Sequence, residues 1–314
     1  MNKITIIGTG SVGSTIAYTV AVTGLASEIV MIDLNSEKAL GEALDIRQGT
    51  PFCSPCSIYA SSYRDAVDSD IVILTSGIAR KPGQSRLDLA QTNVNIAKSI
   101  IPEITRYAPD AIYIIVSNPV DILTYTFCKC SGLPQNHIMG SGTLLDTARL
   151  RARIAEYYGI NPQNVSACVM GEHGDSSFVP WSLARISDVP VDDYNRLLSA
   201  KNELYPQLNH ADIESYVRKS GARIIERKGA TYYAVTIAVC QLCKNILAGI
   251  DTSMPVSTMM NGEYGIEDVC LSVLNVVGRD GVGSKVLVPL TDEETAALRA
   301  SADCLKGVIS NLKI

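Results

Sequence analysis

The chain has no apolar run long enough to span a bilayer, no lysine-rich stretch and only three histidines. Each scarcity excludes something. A membrane-spanning helix needs roughly 18 or more apolar residues in a row, and a strand starting at Lys3 leaves no room for a cleaved signal peptide. A cytoplasmic protein with no membrane partner is therefore expected. Acidic residues outnumber basic ones, 32 to 27, for a net charge of −5, which argues against a nucleic acid partner. With so few histidines, any that carries chemistry must stand out by its flanks.

Cysteine is not scarce, but it lacks company. Nine residues, an odd number without a secretory signal, read as free thiols of a reducing compartment. Cys53-Ser54-Pro55-Cys56 and Cys240-Gln241-Leu242-Cys243 have the spacing of a zinc knuckle or a redox dithiol. The second pair lies in the apolar, helically spaced stretch Tyr232 to Leu247 and reads as core. The first sits in a proline-rich loop with no helix start to lower a thiol pKa. No metal site is assigned.

What is present is a core. A chain of 314 residues with 46% hydrophobic content exceeds the size at which one core usually divides, so two domains sharing a cleft are expected. Lys3 to Gly8 reads as a strand ending in Gly8-Thr9-Gly10-Ser11-Val12-Gly13, with a helical pattern following. That spacing serves a tight turn, close backbone approach to a pyrophosphate and close packing of helix on strand. A second strand, Glu28 to Ile32, ends at Asp33, 20 residues after Gly13 and placed for the ribose hydroxyls of a dinucleotide. An acid there favours NAD over NADP. Strands at Asp70 to Thr75 and Ala111 to Val116, each trailed by a helix, complete the pattern of an α/β, mostly parallel, doubly wound Rossmann domain over residues 1–141.

Residues 142–314 read as an α+β substrate domain. Helices are predicted over Asp212 to Arg227 and from Thr231, strands at Ser253 to Met260 and Val269 to Val277, and a return at Val286 to Pro289. A last helix follows the capping-box pattern Thr291-Asp292-Glu293-Glu294.

His173 stands out, bracketed by Gly171 and Gly174 in Gly171-Glu172-His173-Gly174-Asp175. An acid–base histidine needs a carboxylate to support its charged form and hold one tautomer, and Asp146 in Leu145-Asp146-Thr147-Ala148-Arg149 offers one. Arg149 shares a helical face with Asp146 and can clamp a substrate carboxylate through two parallel hydrogen bonds. Asn118, after the strand at Val116, either fixes the nicotinamide or substrate hydroxyl, or simply ends a strand before a proline turn. The polar segment from Gly77 through Arg80 and Gly83 to Arg86 has the composition of a hinged lid, with Arg86 a candidate to polarise a ketone oxygen.

Taken in order, GTGSVG, Asp33, SRLDL, SNPVD, GSGTLLDTARLR, GEHGD and KGATYY strongly resemble the L-lactate and malate dehydrogenase superfamily over the whole chain, and the lactate branch in particular. The resemblance implies an NAD-dependent L-2-hydroxyacid dehydrogenase. His173 would be the proton donor, Asp146 its partner, Arg149 the carboxylate clamp and Arg86 the carbonyl polariser. Asn118 and Ser141 would orient the nicotinamide region, Val235 would pack against its ring, and Thr231 would line the pocket. A homo-oligomer, tetramer or dimer, is also implied.

Two departures matter. Arg80 stands where lactate enzymes carry a glutamine and malate enzymes an arginine. An unpaired arginine under a closed lid costs several kcal/mol by order of magnitude, whereas a second substrate carboxylate would match it, so oxaloacetate/L-malate is expected over pyruvate/L-lactate. Ser220-Gly221-Ala222 fits a roomier pocket or close helix packing, while Thr231 points back to lactate. The second departure is Ser166, where fructose 1,6-bisphosphate-activated relatives have a histidine; Arg151 fits the other half of that anion site, so weak or absent activation is expected. A non-catalytic NAD-binding protein would keep GTGSVG and Asp33 without needing His173, Asp146, Arg86 and Arg149 together.

Overall fold

The computed structural model describes residues 2–78, 85–198 and 207–314; Arg80 and Gly83 lie outside the described residues. Its first half alternates strand and helix: β1 (Lys3–Ile7), α1 (Ser11–Thr23), β2 (Glu28–Ile32), α2 (Ser36–Gln48), β3 (Ser57–Ala60), β4 (Ile71–Leu74), α3 (Arg86–Tyr107), β5 (Ile112–Ile115), α4 (Val120–Cys130) and β6 (Ile138–Gly140). Then come α5 (Leu144–Tyr158), the short strands β7 (Val165–Ser166), β8 (Arg185–Ile186) and β9 (Val189–Pro190), and α6 (Val191–Leu197). The chain ends with α7 (His210–Lys228), α8 (Tyr233–Ala248), β10 (Thr252–Asn261), β11 (Glu267–Gly278), β12 (Gly281–Lys285) and α9 (Asp292–Ile309).

Strand residues alternate between two apolar layers, as the period of a strand requires. Ile71 and Ile73 of β4 face a core shared with α1 and α8, whereas Val72 and Leu74 face one shared with α3, α4 and α9. Burial on both faces explains why these strands are almost wholly apolar and why the parallel order β3-β2-β1-β4-β5-β6 forms from them. Five loops that follow β1, β2, β4, β5 and β6 consequently open at one edge of the sheet.

The second half is α+β, but its main strands do not form a separate sheet. β10, β11 and β12 run antiparallel and extend the parallel sheet to nine strands, joined at the single pair Ser257 with Gly140. A smaller antiparallel sheet, β7-β8-β9, packs with α5 and α7 around a satellite core that includes Ile154, Ile186, Ile213 and Val217. The returning strand also differs from expectation. It occupies Gly281–Lys285, not Val286 to Pro289, because the chain reverses over Arg279 and Asp280 and pairs again at once, Gly278 with Gly281. Gly281 takes φ +84, and a side chain there would lie 2.1 Å from the carbonyl of Asn136.

The capping box of α9 forms as expected, Thr291 accepting from the Glu294 amide while Glu294 accepts from the Thr291 amide. Cys240 and Cys243 are buried in α8, and burial pushes the Cys240 thiol up to about 12 and the Cys243 thiol far up. These are core thiols, not thiolates poised for exchange.

Candidate active site

The loop from β1 to α1 is shaped by missing side chains. Gly8 takes φ +101 and lies against Thr75 and Ser76, and a Cβ on Gly13 would lie 1.8 Å from the Gly8 carbonyl oxygen, so helix and strand approach only because Gly13 carries no side chain. A Cβ on Gly10 would meet nothing within 4 Å. The open space lies against the start of α1, whose N-cap, Gly10, supplies no side-chain hydrogen bond and whose first turn holds no acid. Free amides and an unopposed helix dipole suit a pyrophosphate, so these residues fit a dinucleotide. Ser11 is exposed there, and Val12 packs back on the core beneath.

Asp33 follows β2 at the same edge. Its Oδ2 accepts from the amide of Thr9 at 2.6 Å and the Thr9 hydroxyl at 3.0 Å, and its Oδ1 accepts from the amide of Asn35 at 2.9 Å. Burial alone would raise this carboxyl, but the three donors outweigh it and hold the group below the usual range. Asp33 is thus a fixed carboxylate beside the glycine loop.

The loops after β4 and β5 are tied together by Asn93 of α3, a residue the sequence reading missed. Its side chain accepts from the Ile78 amide at 2.9 Å and donates to the carbonyls of Ile78 and, at 2.7 Å, Asn118. Gly77 sits against it, 3.4 Å from Asn93 Oδ1 to a notional Cβ. The Ser117 hydroxyl adds a bond to the Ser76 carbonyl at 2.6 Å. Gly77 and Asn118, 41 residues apart, are thereby neighbours. Ser85 caps α3 by accepting from the Asp88 amide, so Arg86 opens a helix instead of sitting in mid-loop.

Asp146, 27 residues before His173, joins the two basic groups. Its Oδ2 lies 2.5 Å from His173 Nδ1, and its Oδ1 accepts from Arg149 at 3.0 Å. Burial pulls the His173 pKa down, yet the adjacent Asp146 charge and hydrogen bond outweigh it and hold the imidazole above its ordinary value of 6.5. Burial likewise pushes Asp146 up, and His173 with Arg149 overcomes it and holds the carboxyl low. With Nδ1 engaged, Nε2 is the ring atom left to exchange a proton. The His173 side chain keeps 25% of its surface exposed against 8% for Asp146, so the ring is reachable while its partner is sealed.

Hydroxyls hold this cluster in place. Ser272 of β11 exchanges backbone hydrogen bonds with Gly171, and its side chain accepts from the Thr143 amide at 3.0 Å. Ser301 of α9 accepts from the Glu172 amide at 2.8 Å, and Thr143 donates to the Val169 carbonyl at 2.5 Å. Ser141, buried after β6, is thus two residues from the contact that secures the histidine loop. Gly221 of α7 faces Arg149, a notional Cβ lying 3.7 Å from its guanidinium. Val235 of α8 packs on the core beside α1, and Thr231 is half-buried just before α8. None of the serine contacts was visible in local sequence, because their partners lie about 100 to 130 residues away.

Known proteins match the chain end to end. Residues 2–140 match the family described as lactate/malate dehydrogenase, NAD binding domain, and residues 143–313 its alpha/beta C-terminal domain. The chain is 46% identical to an L-lactate dehydrogenase of Thermoanaerobacter pseudethanolicus, covering all of both proteins. It is 44% identical to one of Acetivibrio thermocellus, covering all of this chain and 98% of that one. Among solved structures, the minor L-lactate dehydrogenase of Enterococcus mundtii superposes with a TM-score of 0.93 at 38% identity over 100% of this chain and 99% of that one. With no substantial part of the sequence outside such matches, the chain belongs to the lactate/malate dehydrogenase family and is an NAD-dependent oxidoreductase.

Proposed function

We propose that the protein reversibly reduces a small 2-oxo acid to an L-2-hydroxy acid with NADH, and that pyruvate and L-lactate are its principal pair. The observation that carries the reaction class is the buried Asp146 bridging His173 and Arg149. The substrate assignment is supported by relatives at 42–46% identity, all named L-lactate dehydrogenase. This reverses the expectation drawn from Arg80.

NAD, when bound, supplies or accepts the hydride. Gly8, Gly10, Ser11, Val12 and Gly13 would hold its pyrophosphate, Asp33 a ribose, and Gly77, Asn118, Ser141 and Val235 the nicotinamide end. Arg149 would clamp the substrate carboxylate, and His173 Nε2 would deliver a proton to the carbonyl oxygen. Asp146 would keep the tautomer and offset the imidazolium. Arg86 would polarise the oxygen as negative charge develops there, and Thr231 and Gly221 would border the substrate's side chain. In this reading, residues 1–141 form the cofactor-binding domain and 142–314 the substrate domain, with Arg86 and Val235 each reaching across to the other's ligand.

Oxaloacetate and L-malate form the second reading, favoured by Arg80, which lies outside the described residues. Comparing kcat/KM for pyruvate and oxaloacetate under one set of conditions decides it. A preference for pyruvate is expected; a strong preference for oxaloacetate would return Arg80 to the centre of specificity.

We also infer a homo-oligomer. Helices α1 and α8 pack together yet leave Tyr18, Val22, Tyr233 and Ile237 between 49% and 66% exposed, more apolar surface than a monomer usually leaves bare on adjacent helices. Sedimentation showing a stable monomer would overturn this. Weak or absent activation by fructose 1,6-bisphosphate fits Arg151, whose Nε donates to the Ala167 carbonyl at 2.8 Å, and Ser166 in place of a cation. A leftward shift of the saturation curve on adding it would contradict that. Nine free cysteines fit a cytoplasmic setting, and no helix among the described residues is long and apolar enough to cross a membrane.

A further inference from the structure

Asp121 is the buried acid that the mechanism above does not use. It lies in the first turn of α4, three residues after Asn118, and is 2% exposed. Its Oδ2 accepts from the main-chain amide of His173 at 2.7 Å, and its Oδ1 accepts from the hydroxyl of Ser257 on β10 at 2.6 Å. Among the described residues no lysine or arginine pairs with it. A buried carboxylate without a cation is costly, and an asparagine would fill the same space. Among the described residues the cationic group it faces is the imidazole of His173 when protonated.

We propose that Asp121 is a positioning residue for His173: its carboxylate holds the histidine's main-chain amide, ties the proton-donating loop to the turn bearing Asn118, and adds a second negative charge favouring the protonated ring. Asp146 acts on the ring nitrogen, and Asp121 acts on the backbone of the same residue. The arrangement couples the cofactor side of the cleft to the proton donor through one side chain. It rests on the reading of His173 as the proton donor.

The surroundings of this charge are few. Asp146 and Arg149 reach His173 from α5, and Glu172 lies on its own loop. Cys270 of β11 also faces Asp121, with its thiol pushed far up by burial. β10 and α9 contribute the hydroxyls of Ser257 and Ser301. Burial pushes the Asp121 carboxyl up to about 6, against the pull of Ser257 and the His173 amide, so above that pH the charge is in place.

The test uses the full-length protein and the pH profile of kcat/KM for pyruvate reduction. Asp121→Asn keeps an acceptor for the His173 amide and a donor for Ser257 but removes the charge. Its alkaline limb should move about one pH unit lower, as expected when an opposite charge is lost nearby, while NADH affinity stays unchanged. Asp121→Ala, which also frees the loop, should in addition lower kcat by about tenfold or more. Should Asp121→Asn not fold, Ser257→Ala weakens the carboxylate in place and should move the limb the same way by less. A profile identical to the parent in the variant that folds overturns the proposal, as does parallel loss of NADH binding. Retained turnover in His173→Gln would instead sink the proton-donor reading itself, a result that is separate from either Asp121 outcome.

Discussion

The two halves of the candidate site are built by opposite means. Around residues 8–13 the site is made by leaving side chains out: Gly13 lets a helix touch a strand, and Gly10 leaves open space in front of free amides. Around residues 143–173 it is made by putting side chains in: two carboxylates, an arginine and a set of hydroxyls from distant elements fix one imidazole. A phosphate is recognised through backbone N–H groups that every residue but proline possesses, so space is the limiting resource. A proton transfer needs one atom at one place with a tuned pKa, so partners are the limiting resource.

That contrast predicts separable damage. His173→Gln should lower kcat for reduction by about 10²- to 10⁴-fold, the usual share of a general acid, with NADH affinity unchanged; loss of both would show that the halves are not independent. Gly13→Ala should cost about 2–3 kcal/mol through backbone displacement, read as a lower Tm together with weaker NADH binding. Gly10→Ala should leave Tm alone and weaken NADH binding about tenfold, since its methyl enters open space where the pyrophosphate would lie. Equal Tm losses in the two glycine variants would erase the distinction between a packing glycine and a ligand glycine.

The last test needs no substitution and reads the pH dependence of the unaltered protein. Because Asp146 raises the His173 pKa, the ring stays protonated to higher pH than a free histidine. Reduction consumes that proton, so kcat/KM should hold on the acid side and fall about tenfold per pH unit above the raised pKa. Oxidation of the hydroxy acid needs the neutral ring and should rise over the same range. Identical profiles in both directions would remove His173 from proton transfer.

Much of the fold was legible because its signals are local. β1, β2, β4 and β5 lie within about a residue of their expected bounds, since strands covered on both faces must be apolar throughout. The capping box announced α9, and the three-residue spacing of Asp146 and Arg149 announced a shared helical face. Short β3 and β6 gave no such signal, and β12 was placed several residues late because its sequence, Gly281-Val282-Gly283-Ser284-Lys285, is less apolar than the Val286 to Pro289 segment that follows the turn.

Residue type and spacing along the chain determined the glycine loop, the acid after β2, the pairing of His173 with Asp146, and the family. Tertiary structure decided what joins them: the single Ser257–Gly140 pair that makes one sheet of two halves, Asn93 bridging Gly77 and Asn118, and Asp121 reaching the backbone of His173. Periodicity and motif report only on neighbours within a turn or a strand. Contacts across 15 to 117 residues are selected by packing, and packing exists only once the chain has folded.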